Sequence, residues 1–581
     1  MVGGSPPVAP SVGGRGPVFR LVAAIVLVAV IAMAGTAVYV FYLNVPRAPA
    51  NTPPHDLSIG VSPTTGNETI AFHFTATVHD DQDPDAVIQV RWDWQNDSVW
   101  DTGWSTSKNA THVFGRTGSY LVRVEAEDTG GRTTNATRAL AVSETPHLRI
   151  GTVLSVTGVL SIFGASQQNA VDMAVAEINA AGGVLGQPVL VFHKDDATSP
   201  TLAGPAAASL VTQDNVSVII GATASGTSLA VLSIAASAHV LELSPSGTSA
   251  TFSNLSLTQG WFARAVTSDA LQGLVAASYV GQNLSLLQAG AIGIDNTYGR
   301  GVTSAFVENY SRFGGAITPG SPRIVSEFQT DYTADLVSVL NVNPMPQAVY
   351  VAVYPPNGVT LMRNWWAGVT SYPAWKNVRW VFSEGVYDQG SFIDPLVSAG
   401  VNVSGFLGTA PALYAGFVPP AYAEWAARYS MRYGSLPQLF AANAYDATYL
   451  AALAAQAAGS LAPAAMRSKL AAVADPPGIL LGPDNWTVAL AELAAGHDIN
   501  YNGASGPVNL NAYGDIPGPY VVWGVDASNR LYVKENYSEG VVVGLSAGLY
   551  PAPPAYSDGA IAALAVRPRD RLEREEELRR F

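Results

Sequence analysis

The chain contains no cysteine. That excludes a disulfide, a thiolate metal site, a cysteine nucleophile and a lipid-modified cysteine near the N-terminus. Charge is also scarce, at 13% of residues, and the positive sign is the scarcer one, with 30 Lys and Arg against 44 Asp and Glu. A net charge of −14 offers no basic surface for phosphate and argues against nucleic acid as a partner. The eight histidines (His55, His73, His79, His112, His147, His193, His239 and His497) are scattered, with no H-E-x-x-H and no metal-ligand spacing. Asp195-Asp196 alone could suggest a metal pair. There is no Walker A loop and no dinucleotide glycine fingerprint. No cofactor or metal is expected, and no enzymatic activity.

Apolar residues, in contrast, are abundant. At 581 residues and 48% hydrophobic, the chain should build two to four domains. Residues 21–43 form an uncharged run. As a helix it would extend roughly 34 Å, enough for a bilayer core of about 30 Å. Arg15 and Arg20 precede it, and the region beyond Arg47 is acidic, which favours a cytoplasmic N-terminus at 1–20. The competing reading is a cleaved signal peptide, with Ala32-Met33-Ala34 as the small-x-small site. Either reading places everything after residue 44 outside the cytoplasm. Asn-x-Ser/Thr triplets begin at Asn67, Asn96, Asn109, Asn135, Asn215, Asn254, Asn283, Asn309, Asn402, Asn485 and Asn536. Their spread suggests a glycosylated cell-surface protein, and with no lipid-anchor cysteine it leans towards an archaeal one.

Residues 44–56 are Pro-rich and read as a linker. Residues 57–143 then alternate apolar and polar in short runs (IAFHFTATV, AVIQVRWDW, YLVRVEAED) separated by turn residues. This pattern predicts a small antiparallel β-sandwich. VRWDWQND (90–97) followed by HVFGRTGSYLVRVEAEDTGG (112–131) resembles the polycystic-kidney-disease (PKD) type of immunoglobulin-like domain. That family usually turns on Gly-Asp-Gly after its Trp-Asp-aromatic; here the turn is Gln95-Asn96-Asp97. The resemblance implies a spacer or adhesive module. Trp92 and Trp94 read as one core tryptophan and one neighbour rather than as a sugar platform.

From residue 148 the pattern becomes β-α-β and runs to about 535. A strand at 148–154 precedes a helix at 165–180, stopped by Gly182-Gly183. Apolar strands follow at 216–220, 240–243, 291–294, 348–353 and 378–382, alternating with helical patterns, so the sheets should be parallel. About 390 residues exceed one doubly wound sheet, and two lobes are expected. Just beyond those strands stand Ser225, Thr248, Tyr298, Tyr354 and Glu384. Ligands of open α/β sheets bind outside the carboxyl ends of the strands. A cleft with a hydroxyl edge and a carboxylate edge follows.

Several stretches in series are similar to the type I periplasmic-binding-protein family, in its branched-chain amino-acid (leucine/isoleucine/valine) branch. They are TVLSVTGVLSIFGASQQNAVDMAVAEINAAGGVLGQPV, KDDATSP, IIGATASGTS, LSPSGTSATF, AIGIDNTYGRGV, VFSEGV and YNGASGPVNLNAYGD. The resemblance implies an α/β, two-lobed type I periplasmic binding protein fold, preceded here by the membrane helix and sandwich. One lobe would comprise 148–267 and 405–512, the other 268–404 and 513–535. In the resemblance, Ser225 stands where the family binds the ligand α-carboxylate. Ser246 and Thr248 match positions that contact carboxylate and ammonium by backbone and hydroxyl. Phe163 occupies the place of an aromatic beside the ligand side chain, Tyr298 that of the second-lobe tyrosine, and Glu384 that of the acid taking the ammonium. Tyr354 lies where the family has adjacent tyrosines before a proline. Where relatives commonly have a small aliphatic residue, this chain has Ser246.

The residues make chemical sense together. A free amino acid is a zwitterion. Its carboxylate needs donors, which Ser225, Thr248 and helix N-termini supply, and its ammonium needs an anion, which Glu384 supplies. The competing structural role for Ser225 and Thr248 is helix capping.

Gly544-Leu545-Ser546-Ala547-Gly548 matches G-x-S-x-G after an expected strand at 541–543, but prolines at 551, 553 and 554 block the helix an esterase elbow needs, and no histidine follows His497. The segment 551–581 is Pro-rich and then densely charged, and reads as a solvated tail. The reading is an extracytoplasmic solute-binding protein that captures an amino acid and delivers it to an ABC importer. Its permease and ATPase would be separate chains. The alternative is a ligand-sensing surface receptor or a glycan-binding adhesion protein.

Overall fold

The structure is a computed structural model and describes residues 17–43, 49–412 and 420–547. The expected tail at 551–581 lies outside the described residues, as do residues 1–16 of the expected N-terminal segment. The chain divides after Thr145 into two compact units.

In the first unit, Pro17–Leu43 is a helix of 27 residues. Ile25, Leu27, Val28, Ile31 and Met33 all leave more than half of their surface exposed. Among the described residues, no single helix is long and apolar enough to cross a membrane; the described apolar stretch of this one is Ile25–Ala37.

The expected sandwich follows as two sheets. His55–Ser62, Phe72–His79 and Asn109–His112 form one; Gly66–Asn67, Thr133–Ser143, Gly118–Glu127 and Gln89–Asp93 form the other. Phe72–His79 alternates buried and exposed at every residue, as its sequence alternates. Trp92 and Trp94 depart from expectation, because both are core residues, stacked 5.4 Å apart. The strand ends at Asp93, whose buried carboxylate accepts the N–H groups of Asp97 and Ser98 and turns the chain so that both indoles face inward. Asn96 takes φ +56 in that turn, a conformation Asn tolerates better than most residues. With both indoles buried, these tryptophans form no sugar platform.

The second unit has two α/β lobes. In the first, Phe262–Arg264, Leu241–Ser244, Val218–Gly221, Arg149–Leu154 and Leu190–Asp195 form a five-stranded parallel sheet in that order. The helix expected at 165–180 begins earlier, as Ser161–Ala180. In the second lobe, Gln288–Ile294, Ala348–Ala352, Arg379–Phe382 and Leu407–Pro411 run parallel, and Tyr520–Val525 and Leu531–Tyr537 extend the sheet antiparallel. The lobes have separate cores. Ala441–Ala458, alanine-rich and buried on all sides through residue 455, is the central core helix of the first.

Two expected boundaries move. Leu407–Pro411 belongs to the second sheet, so the chain does not return to the first lobe at 405. Its glycine explains why: a Cβ on Gly408 would meet the Trp523 ring at 2.2 Å, so only glycine lets the strand pack beneath that indole. The second lobe also runs past 535, through Leu531–Tyr537 and a helix, Glu539–Leu545. Residues 541–543 therefore lie in a helix rather than the expected strand. Ser538 caps it by accepting the Val541 N–H, and Val542 is its buried anchor.

Of the eleven Asn-x-Ser/Thr asparagines, Asn309 is buried and its amide donates to the Ala305 carbonyl, so it is closed to modification. Asn67 is half-buried and the other nine are exposed.

Candidate functional site

The strand-end residues converge. One partly open cleft is lined by Phe163, Ser225, Ser246, Thr248, Tyr298, Tyr354 and Glu384, together with Leu160, Thr223, Ala224, Gly385 and Phe440. All seven residues singled out from the sequence stand on its wall. Each arrives by the same local logic, an apolar strand that ends, a tight turn, and a helix that leads the chain away.

The first lobe supplies the hydroxyl edge. Ser225 is the first residue of Ser225–Ser237, whose N-cap is Ala224; Thr227 fills the capping role by bonding both the N–H and the carbonyl of Ala224. The Ser225 Oγ instead accepts the Ser249 N–H at 3.2 Å, which leaves its own proton to donate. Thr248 follows Leu241–Ser244, and its carbonyl accepts the Asp269 N–H. The Ser246 hydroxyl is committed within the protein. It donates to the Thr223 carbonyl and accepts from Gln167 Nε2, both at 2.7 Å, while Thr223 Oγ1 donates to Gln167 Oε1. The Ser246 hydroxyl therefore closes a buried network with Gln167 and Thr223.

The second lobe supplies aromatic faces and the acid. Tyr298 and Tyr354 stack at 5.4 Å with nearly parallel rings. The Tyr298 hydroxyl bonds Ser383 Oγ at 2.7 Å and accepts the Gly385 N–H at 3.1 Å, which fixes the turn that presents Glu384. A Cβ on Gly385 would meet both Tyr298 Oη and the Val353 carbonyl at 2.7 Å. Opposite, Phe163 packs edge-on against Phe440 at 6.1 Å.

Glu384 is 3% exposed, and its Oε2 accepts from Gln272 Nε2 at 2.6 Å. Burial pushes its pKa up to about 7, against the pull of the hydrogen bonds it receives. Asp269, at the start of Asp269–Ser278, is fully buried behind it. Burial first, and then the Glu384 charge, drive the Asp269 carboxyl well above the usual carboxylate range; Arg264 and the Thr248 hydroxyl pull the other way. Among the described residues, the cleft wall carries one acid, Glu384, with Asp269 buried behind it, and no base, which favours a ligand that brings a positive group.

Sequence reasoning missed Leu160, Thr223, Phe440 and Asp269. Phe440 precedes a helix rather than following a strand, and Asp269 sits in a crossover between lobes, so neither obeys the strand-end rule.

Thr152, His193 and Asp172 form a chain of hydrogen bonds at 2.8 and 2.9 Å that resembles a hydrolytic triad. Thr152 is fully buried within the sheet, so its hydroxyl meets no substrate.

Residues 147–489 match the family described as periplasmic binding protein, and residues 56–141 match the PKD domain. The chain is 30% identical over 223 residues to a Leu/Ile/Val-binding protein, BraC3, of Rhizobium johnstonii; the match covers 37% of this chain and 57% of that protein's own length. It is 26% identical over 373 residues to BasB, a chemotactic signal transduction system substrate-binding protein of Halobacterium salinarum, covering 62% of this chain and 82% of the relative. The fold is similar to that of a leucine-binding protein, LivK, of Thermotoga maritima, with a TM-score of 0.54 and 23% identity, covering 67% of this chain and 99% of the other.

Proposed function

The chain belongs to the periplasmic binding protein family and carries a PKD domain, and from that premise we propose that it binds a free amino acid with an aliphatic side chain in the cleft between its lobes. The observation that carries this reading is the polarity of the cleft. Ser225 and Thr248 stand on one lobe, Glu384 on the other, and aromatic rings lie between. The carboxylate would take the Ser225 and Thr248 hydroxyls and adjacent N–H groups, and the ammonium would take Glu384. Phe163, Tyr298 and Tyr354 would cover the side chain, with Ser246 contacting the ligand through its backbone. Contacts on both lobes stabilise the closed state over the open one.

Delivery to an ABC permease and ATPase on separate chains follows from the same reading. The uncharged run 21–43 would anchor the protein with its binding unit outside the cytoplasm. Exposed Asn-x-Ser/Thr sites and the Halobacterium relative support a glycosylated archaeal cell surface. That relative's chemotactic role favours a second reading, in which the loaded protein reports to a membrane receptor.

Calorimetry with L-leucine, L-isoleucine and L-valine tests the site. Removing one partner of a buried charge pair costs about 3–5 kcal/mol, so Glu384→Ala should abolish measurable binding, and Ser225→Ala should weaken it. Unchanged affinity in both variants would refute the assignment.

A further inference from the structure

Behind the hydroxyl edge, outside the cleft, lies a buried ion pair. Arg264 ends the edge strand Phe262–Arg264 and is fully buried; Asp515, from the segment that leads back to the second lobe, is 1% exposed. The guanidinium Nε donates to Asp515 Oδ1 at 2.7 Å, and Nη2 lies 2.6 Å from the same oxygen. Nη2 also donates to Ser253 Oγ at 3.1 Å, and that hydroxyl donates to Asp515 Oδ2 at 2.6 Å. The remaining amino group, Nη1, lies 3.0, 2.7 and 2.9 Å from the carbonyl oxygens of Gly247, Thr248 and Ser249.

Three consecutive carbonyls thus converge on one cation. In a planar trans peptide the N–H of each residue points opposite to the carbonyl before it. Turning the Gly247 and Thr248 carbonyls towards Arg264 therefore turns the N–H groups of Thr248 and Ser249 away from it. Ser249 N–H meets Ser225 Oγ on that side, and Thr248 is on the cleft wall. The Gly247 N–H is given to Ser244 Oγ at 2.7 Å and the Ser249 N–H to Ser225 Oγ, so the Thr248 N–H and the Ser225 hydroxyl are what this side offers an anion. Asp515 cancels the Arg264 charge, so the arginine acts through geometry.

We infer that Arg264, held by Asp515, is a positioning residue that shapes loop 247–249 so that the Thr248 N–H and, through the Ser249 N–H, the Ser225 hydroxyl form the carboxylate-accepting edge of the cleft. The same pair ties that edge to the inter-lobe crossovers. Arg264 N–H donates to the Gly514 carbonyl, Thr267 pairs with Ile516, and Asp269 N–H donates to the Thr248 carbonyl. The inference rests on the amino-acid reading for its ligand arm alone.

The test uses the full chain with Arg264→Lys, with Asp515→Asn, and with Arg264→Met combined with Asp515→Leu, which removes both charges at similar volume so that neither is left buried alone. Hydrogen exchange of segment 244–251 without ligand reports the loop. Affinities for L-leucine and for 3-methylbutylamine, which lacks the carboxylate, report the edge. The expected result is faster exchange at 247–250 with the sheet strands still protected, and leucine affinity lowered roughly tenfold to a hundredfold, the worth of hydrogen bonds to a charged group, with the amine unaffected. Unchanged exchange, unchanged leucine affinity in a loosened loop, or an equal loss for both probes would overturn it. If the unaltered protein binds neither probe, the amino-acid reading falls and the exchange result alone decides the positioning role.

Discussion

Among the described residues, Glu384 carries the only negative charge on the cleft wall, and its burial makes that charge conditional on pH. With a pKa near 7 in the folded protein, against 4.5 for an ordinary glutamate, it holds a proton through much of the acidic range. In the empty protein the sign is therefore inverted from the usual carboxylate. The folded state binds more protons than the unfolded chain between pH 4.5 and 7, so this group's contribution to stability falls as pH rises through that window. A ligand ammonium reverses the preference, because it favours the ionised carboxylate. Affinity for L-leucine is expected to rise from pH 5.5 to about 7 and then level, with up to one proton released per ligand bound at pH 6. Calorimetry in two buffers of different ionisation enthalpy measures the release directly. Glu384→Gln should remove both the slope and the proton release. A flat profile in the unaltered protein would mean that no ammonium meets this acid.

At the scale of elements, the turn after Arg379–Phe382 depends on a missing side chain. Gly385 lies against Tyr298 Oη and the Val353 carbonyl, and a methyl group there would sit 2.7 Å from each. Gly385→Ala should push the tyrosine off its bond to Ser383 and shift Glu384 with it, at about 1–3 kcal/mol for overpacking. Leucine binding is expected to weaken more than the melting temperature falls; an alanine variant with full affinity would show that the turn is not what aims the acid. This close approach was not legible in the chain, where SEGV is simply a strand end. Strands that are continuous apolar runs could be read with little error, because burial on both faces writes itself into every residue, as in Ala348–Ala352. Leu407–Pro411 escaped because its sequence, LGTAP, looks like a turn and becomes a strand only beneath Trp523. The valines of Glu539–Leu545 misled in the opposite direction, since β-branched residues read as strand until the Ser538 cap and the Val542 anchor decide for helix. The cleft was legible where function follows strand ends. Phe440 and Asp269 fell outside that rule because tertiary packing alone brings them to the site.

For the molecule as a whole, the division after Thr145 separates two sources of stability. The sandwich is held by its own core around Phe74, Trp92 and Trp94, and the lobed unit by others. An amino acid that binds between the lobes can stabilise only the unit that contains them. At 100 times its dissociation constant it adds about 2.7 kcal/mol there and nothing to the sandwich. Scanning calorimetry should therefore resolve two transitions, of which L-leucine raises one. Ile88 is fully buried in the sandwich, and Ile88→Val should cost about 0.5–1.5 kcal/mol, lowering the other transition by roughly 4–8 °C per kcal/mol. The leucine-sensitive transition and the leucine affinity should stay where they were. A single transition moved by both the ligand and the sandwich substitution would mean that the units fold as one cooperative body, and that the PKD domain is a working part of the binding unit rather than a module carried beside it.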